Sequence, residues 1–314
     1  MTKSPARVAV LIPCYNEAAA IGTVVRDFKA ALPEAAIYVY DNNSKDETVA
    51  RAREAGAIVR SELRQGKGNV VRRMFADIEA DVYVLVDGDD TYEADAAPAL
   101  VKRLIDEGFD IVSGRRVATG EAAYRTGHVL GNRLLTGLTS TMFRVELLDL
   151  LTGYRVMSRR FVKSFPFTAE GFGIETELTV HAVRLLMPMV EIDTRYKERP
   201  EGSVSKLNTY RDGFRILFTI VSLVREERPL IFFTSLFGFV AIFSLALGIP
   251  VVIEFISTHQ VTLLPRGVLA VGLMVLAFLS LASGLILDTV TRGRWELKRI
   301  AYLAIPGPQD LTWP

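Results

Sequence analysis

The sequence predicts an α/β domain built on a mainly parallel sheet, followed by an amphipathic helix and two membrane-spanning helices. Two patterns carry that expectation. In the N-terminal part, short apolar runs bounded by turn residues alternate with helical segments, and repeated strand-helix units imply a sheet covered by helices on both faces. Further on, Pro229 to Ile253 and Gly267 to Leu287 contain no charged residue. Each is longer than the roughly 20 residues, at about 1.5 Å rise, that cross a hydrocarbon core of about 30 Å.

Taken in order, Arg7 to Ile12 reads as a buried strand, Ala18 to Leu32 as a helix and Ile37 to Tyr40 as the next strand. Ser44 and Glu47 have the spacing of a capping box, which predicts a helix from about Lys45 to Ala55, ended by Gly56. Ala57 to Arg60 follows as a strand, Gly68 to Ile78 as a helix and Val82 to Val86 as a strand. The helix Ala96 to Glu107 stops at Gly108, and Phe109 to Ser113 is strand-like. Ligands of such sheets bind beyond the carboxyl ends of the strands. That places Pro13 to Glu17, Asp41 to Ser44, Glu62 to Gly68 and Asp87 to Thr91 along one rim.

Composition narrows the function classes. The chain has 314 residues and a formal charge of +1, with 37 basic and 36 acidic residues, so no nucleic-acid surface is implied. The single cysteine, Cys14, excludes an intrachain disulfide framework and a cysteine-rich zinc site. The apolar run Arg7 to Ile12 is too short for a signal segment, so the N-terminal part is expected to stay in the cytoplasm. Arg225 and Arg228 precede the first apolar segment, and Arg292, Arg294, Lys298 and Arg299 follow the second, while Arg266 is the connecting loop's single basic residue. This bias puts both ends of the hairpin on the cytoplasmic side of an inner membrane. Leu207, Tyr210, Phe214, Leu217, Phe218, Val221 and Val224 recur at helical spacing. Such a helix lies in the bilayer interface or packs on the soluble domain.

Asp87-Gly88-Asp89-Asp90 ends the apolar run Val82 to Val86. Carboxylates there can present hard oxygen ligands to a divalent cation and a diphosphate, or can form an acidic turn that caps the following helix. Pro13-Cys14-Tyr15-Asn16-Glu17 supplies a rigid turn, an aromatic face able to stack on a base, and polar groups for a ribose. Asp41 can accept from a base or sugar, or from nearby backbone donors. Gln65-Gly66-Lys67-Gly68 brings amides and one ammonium toward phosphate at a helix start, but lacks the rest of a P-loop. Cys14 reads as a packed residue, and His128, His181 and His259 have no ligand spacing.

Together these segments resemble the GT-A glycosyltransferases of family two, through Pro13 to Glu17, Asp41 to Ser44, Gly66-Lys67-Gly68 and Asp87-Gly88-Asp89. Within that family the chain is similar to polyprenyl-phosphate glycosyltransferases, the relatives of dolichol-phosphate mannose synthase. That similarity extends through Ser113-Gly114-Arg115-Arg116, Gly131-Asn132-Arg133, Thr152-Gly153-Tyr154-Arg155 and Gly202 to Leu207. The resemblance implies a GT-A, Rossmann-like catalytic domain over residues 1–206, an interfacial helix over 207–228, a two-helix hairpin over 229–291 and a cytoplasmic tail over 292–314. It implies inverting transfer of one sugar from a nucleotide sugar to polyprenyl phosphate at the cytoplasmic face, with Mg2+ or Mn2+ as cofactor and a homo-oligomeric assembly. Pro13, Tyr15, Glu17, Asp41, Asn43, Lys67, Asp87 and Gly88 would bind the nucleotide sugar, and Asp87 and Asp89 the metal. Arg116, Arg125, Arg199, Ser205 and Lys206 would bind the acceptor phosphate or the leaving diphosphate, with Asp89, Arg116 and Lys206 as the catalytic set. A glycolipid or polysaccharide acceptor, or a non-catalytic sugar-nucleotide-binding scaffold, are the competing readings.

A phosphate monoester with a second pKa of about 6 is already largely dianionic at neutral pH, so such an acceptor needs no obligatory general base. Glu175 and Glu177, two positions apart on a helix, do not share a face, and at most one can point into the site. Asp41-Asn42-Asn43-Ser44 departs from the Asp-Asp-Gly-Ser form usual in mannose synthases, which favours a UDP-sugar donor.

Overall fold

The computed structural model describes residues 4–118, 126–166, 173–199, 218, 221–260 and 262–313. Two compact units divide the chain: Met1–Ile216 together with Leu297–Pro314, and Leu217–Glu296.

The first unit alternates strand and helix as its periodicities predict. Its elements are β1 (Ser4–Pro5), β2 (Val8–Cys14), α1 (Ile21–Ala31), β3 (Ala36–Asp41), α2 (Thr48–Glu54), β4 (Ile58–Ser61), α3 (Lys67–Asp77), β5 (Val82–Leu85) and α4 (Ala97–Glu107). There follow β6 (Ile111–Ala118), α5 (Thr126–Phe143), β7 (Arg155–Ser158), α6 (Arg159–Ser164), α7 (Ile174–Arg184) and β8 (Met189–Tyr196). Every residue of β2 and β5 is buried, as expected of strands covered on both faces. The two-residue period of β2 feeds two cores. Val10 and Ile12 pack with Val24, Phe28 and Val101, whereas Ala9 and Leu11 pack with Val71, Phe75 and Leu178. Helices α1, α3 and α4 supply matching stripes, such as Ile21, Val24, Val25 and Phe28 in α1.

The seven strands run β4-β3-β2-β5-β7-β6-β8. All neighbours are parallel except β7, which is antiparallel to both β5 and β6. The mainly parallel sheet is therefore as expected, with one reversed strand inside it. That reversal matters for the site. Register sets Cys14 beside Asp41, and Leu85 beside Arg155, so the start of β7 lies at the same sheet edge as the ends of β2, β3 and β5.

Ser44 does not cap α2. The helix starts later than the box predicts, at Thr48, because the Ser44 hydroxyl accepts from the Asn16 backbone N–H at 2.8 Å and so ties two loops together. Gly108 ends α4 in the left-handed conformation (φ +71°), where a side chain would be strained.

The last turns of the second apolar helix and the residues that follow are no detached tail. From Leu297 the chain belongs to the first unit, where β9 (Leu311–Thr312) pairs in parallel with β1. The second unit holds the long helix Pro229–Thr258 and, as far as Glu296, the helix Leu264–Leu303, and only 11 % and 17 % of their most apolar windows are buried. That exposure argues against a core hairpin of a soluble fold. The helices pack through the Ser244 hydroxyl, which donates to the Ala270 carbonyl at 2.7 Å, and through Phe237 against Phe278. Of the expected interfacial helix, residues 221–227 are helical, while Leu207, Tyr210, Phe214 and Leu217 lie outside the described residues.

Candidate functional site

The ends of β2 and β3 are fastened to each other and to the loop before α3. The Asp41 carboxylate accepts from the Ser44 backbone N–H at 3.2 and 3.3 Å. Buried Asn42 donates to the carbonyls of Glu62 and Arg64 at 2.8 Å each and accepts from the Gly66 N–H at 2.7 Å. Asn43, in the left-handed conformation at φ +65°, donates to the Leu63 carbonyl at 2.9 Å. Asn16, at φ +51°, accepts from the Lys45 N–H at 2.8 Å, and the Glu17 N–H donates to the Thr48 hydroxyl at 2.9 Å. Pro13 sits on β2 in register with Tyr40, and Tyr15 and Glu17 follow, half-buried. The structure thus brings Pro13, Tyr15, Glu17, Asp41, Asn43 and Lys67 to one rim. It adds Asn42, whose buried amide is the strut between two of these loops.

The acidic turn follows β5. Lys67 bridges Asp87 and Glu175, with its ammonium 2.6 Å from Glu175 Oε1. Asp89 is buried, and its Oδ1 accepts from the Thr91 hydroxyl at 2.6 Å while Oδ2 meets Arg199 Nη2 at 2.7 Å. Asp90 takes a left-handed conformation (φ +57°) and lies 3.8 Å from Lys197 Nζ. None of these acids caps α4, which is entered through a turn of 3-10 helix, Ala94–Ala96, without a side-chain cap. Close packing fixes the turn. A Cβ at Gly88 would lie 2.6 Å from Cys14 Sγ, and one at Gly153 would collide with the Asp87 carboxylate.

Charge follows from this packing. Burial raises the Asp87 carboxyl above the usual range, and the Asp89 and Glu175 charges add to this against Lys67. Burial also acts on Glu175, but the Lys67 ammonium outweighs it and holds that carboxyl below the usual range. Burial drives the Cys14 thiol well up, helped by Glu17 and Asp41, so it stays protonated and serves as packing.

Arg116 is clamped by Asp149, to which its guanidinium donates twice at 2.7 Å, and it lies over the Tyr196 ring at 5.6 Å. Arg199 is held by Asp89. Arg125, Ser205 and Lys206 lie outside the described residues. Glu175 and Glu177 part company as expected. Glu177 turns away to Arg72 at 2.7 Å. Sequence marked Arg155 only as part of a shared segment and missed its role: it is 1 % exposed and donates to the carbonyls of Thr152 and Leu150 and to the Thr179 hydroxyl at 2.8 to 3.1 Å. It pins the loop that carries Gly153 against Asp87. Burial lowers its pKa.

Among the described residues no three His, Cys, Asp or Glu side chains form a metal cluster. The pair Asp87 and Asp89 nevertheless suits a Mg2+-like ion, which is often held by one or two carboxylates plus substrate phosphates. Both already sit against cationic groups, Lys67 and Arg199, so positive charge is accommodated at each.

A family model described as glycosyl transferase family 2 matches residues 9–165. Glycosyltransferase AglJ of Haloferax volcanii is 33 % identical over 308 residues, covering 96 % of this chain and 99 % of the relative. The chain belongs to glycosyl transferase family 2. A dolichyl-phosphate hexose transferase of the same organism is 31 % identical over 221 residues, 70 % of this chain and 95 % of that protein. Among solved structures, glucosyl-3-phosphoglycerate synthase of Mycobacterium tuberculosis superposes with a TM-score of 0.56 at 24 % identity, over 70 % of this chain and 80 % of the other. That likeness shows the fold. The acidic turn and the loops around it therefore sit on the GT-A sheet of a family 2 glycosyltransferase.

Proposed function

We propose that this glycosyltransferase moves one sugar, with inversion, from a nucleotide-diphosphate sugar to polyprenyl phosphate at the cytoplasmic face of a membrane. The observation that carries the acceptor is the state of the nearby carboxylates. Asp87 and Glu175 share Lys67, Asp89 holds Arg199, and Asp149 holds Arg116. Glu175, held below the usual carboxylate range by Lys67, is a weak proton acceptor, whereas a phosphate monoester arrives already ionised. The dolichyl-phosphate hexose transferase relative supports the same acceptor class.

For the donor, Asp41 and the Pro13 to Glu17 segment offer a base and ribose pocket, and a UDP-sugar is favoured. The structurally similar glucosyl-3-phosphoglycerate synthase was crystallised with Mn2+ and UDP. Asp87 and Asp89 would hold a divalent ion, which when bound neutralises charge on the leaving diphosphate. Lys67 supplies a further cation beside Asp87, and Arg116, held on β6 by Asp149, would supply another to an anionic substrate. Two helices long and apolar enough to cross a bilayer lie between Ile216 and the return of the chain to the first unit, and two crossings would bring it back to the side it left. That supports one side for both ends.

The test uses full-length protein in membranes with a panel of labelled UDP- and GDP-sugars, offered either polyprenyl phosphate or the corresponding alcohol. Label is expected in the phosphate-linked lipid alone, lost with a chelator and restored by Mg2+ or Mn2+. A comparable rate with the alcohol would move the assignment to a glycolipid-type acceptor. Asp89→Ala should abolish metal-dependent transfer with the fold kept, and undiminished transfer by that variant would sink the metal role.

A further inference from the structure

The chain at and beyond the end of β8 carries three cations that meet the acids of the 89–93 turn in reverse order. Arg195 lies 3.9 Å from Glu93, Lys197 3.8 Å from Asp90 and Arg199 2.7 Å from Asp89. Backbone contacts hold the two segments in register, since the Lys197 N–H donates to the Thr91 carbonyl at 2.8 Å and Tyr92 bridges Tyr196 in antiparallel fashion. The rungs are unequal. The first two are long and involve well-exposed cations, which makes them weak. The third is short, and its carboxylate side chain is only 7 % exposed.

Both oxygens of Asp89 are therefore engaged, Oδ1 by Thr91 and Oδ2 by Arg199. A carboxylate so buried is costly to leave without a counter-ion. An oxygen of an ionised carboxylate has two lone pairs, but a divalent cation and a guanidinium gathered on the same buried oxygen repel each other, so each weakens the other's hold on Asp89. Lys67 is placed differently, because it keeps Glu175 as a partner if Asp87 turns to another cation. The Arg199 side chain, one-third exposed, can return to water at small cost.

We propose that Arg199 is an internal counter-ion that competes with the divalent cation for Asp89, so that loading the site releases its guanidinium. The proposal rests on the metal role given to Asp89 above. Once released, Arg199 is a cation beside the site whose natural counter-ion is an anionic second substrate. Arg199 thus keeps the acidic turn neutral before loading and becomes an anion ligand after it.

The test is Mn2+ binding to purified full-length protein without nucleotide, read by the electron paramagnetic resonance signal of free Mn2+. Asp89→Asn should lose the bound ion. Arg199→Gln should bind Mn2+ about fivefold or more tightly than the parent protein, and Arg199→Lys, which keeps the charge, should stay near it. Arg199→Gln binding no tighter, with Asp89→Asn still inactive in binding, would overturn the competition and leave the metal role standing. Unchanged Mn2+ binding by Asp89→Asn would remove the metal role and the competition with it.

Discussion

Tyr302 donates its hydroxyl to Asp110 Oδ2 at 2.7 Å, joining positions 192 residues apart. Asp110 is fully buried and also accepts from the Ser158 hydroxyl at 2.6 Å and from Arg160 at 2.5 and 2.7 Å, while the Arg160 guanidinium lies 4.7 Å from the Tyr302 ring centre. The last turns of the second apolar helix are thus built into the catalytic unit. Tyr302→Phe removes one donor from a buried carboxylate that keeps three others. The expected loss is about 1–2 kcal/mol of unfolding free energy. Asp110→Ala, which strands Arg160, should cost about 3–5 kcal/mol. Denaturant unfolding of the full-length protein checks both, and an unchanged midpoint for Tyr302→Phe would deny the contact any weight.

Local periodicity made much of this legible in the sequence. Strand-helix alternation, the two apolar helices and the ends of β2, β3 and β5 are properties of short windows, so Asp41, Asp87 and Asp89 could be placed on one rim. Pairings across long separations could not. Nothing near Lys67 announces Glu175, which is 108 positions away, and nothing in Arg155-Val156-Met157-Ser158 marks a strand running against its neighbours. Ser44 and Glu47 satisfied a local rule that lost to a distant partner, Asn16. Arg155 stood in the sequence only as part of a shared segment, and its task shows once the loop carbonyls that surround it are known.

Gly88 has no room for a side chain, since a Cβ there would lie 2.6 Å from Cys14 Sγ and 3.3 Å from Ile12 Cγ2. Gly88→Ala should therefore destabilise the fold by about 1–3 kcal/mol through overpacking and displace the acids on either side of it. Cys14→Ala removes the nearer obstacle. The double variant is expected to be more stable than the sum of the two single losses by about 0.5 kcal/mol or more, which a double-mutant cycle on unfolding free energies would measure. Additive losses would mean that Cys14 is not the obstacle.

His181 is buried between the rings of Phe161 and Phe165, at 5.3 Å from each, with Ser164 Oγ at 3.1 Å from its Nε2. Burial lowers its pKa from 6.5 to about 3, and the charge of Lys298 pushes the same way. The folded protein therefore binds fewer protons than the unfolded chain between these values. Its stabilising contribution is complete above pH 6.5 and is lost as pH falls toward about 3. Replacing His181 with Gln should flatten this acid slope, by up to a few kcal/mol across the window. Unfolding free energies measured from pH 7 to pH 4 would show it, and a slope equal to that of the parent protein would exclude His181 as its source.

Glu175 separates the two roles open to a carboxylate at this rim. A general base works best with a pKa near the working pH, yet Lys67 holds Glu175 below the usual range despite its burial. It also shares that lysine with Asp87, whose proton affinity it raises through its own charge. If Glu175 only balances charge, Glu175→Gln leaves Lys67 paired with Asp87 and relieves one like charge. Transfer to polyprenyl phosphate should then fall by no more than about tenfold, and the shape of its pH profile should be kept. A base would behave otherwise. Its removal typically costs about 10²–10⁴ in rate and erases the acid limb of the profile. Initial rates of the Glu175→Gln variant from pH 5 to pH 9, with the phosphorylated acceptor, distinguish the two outcomes.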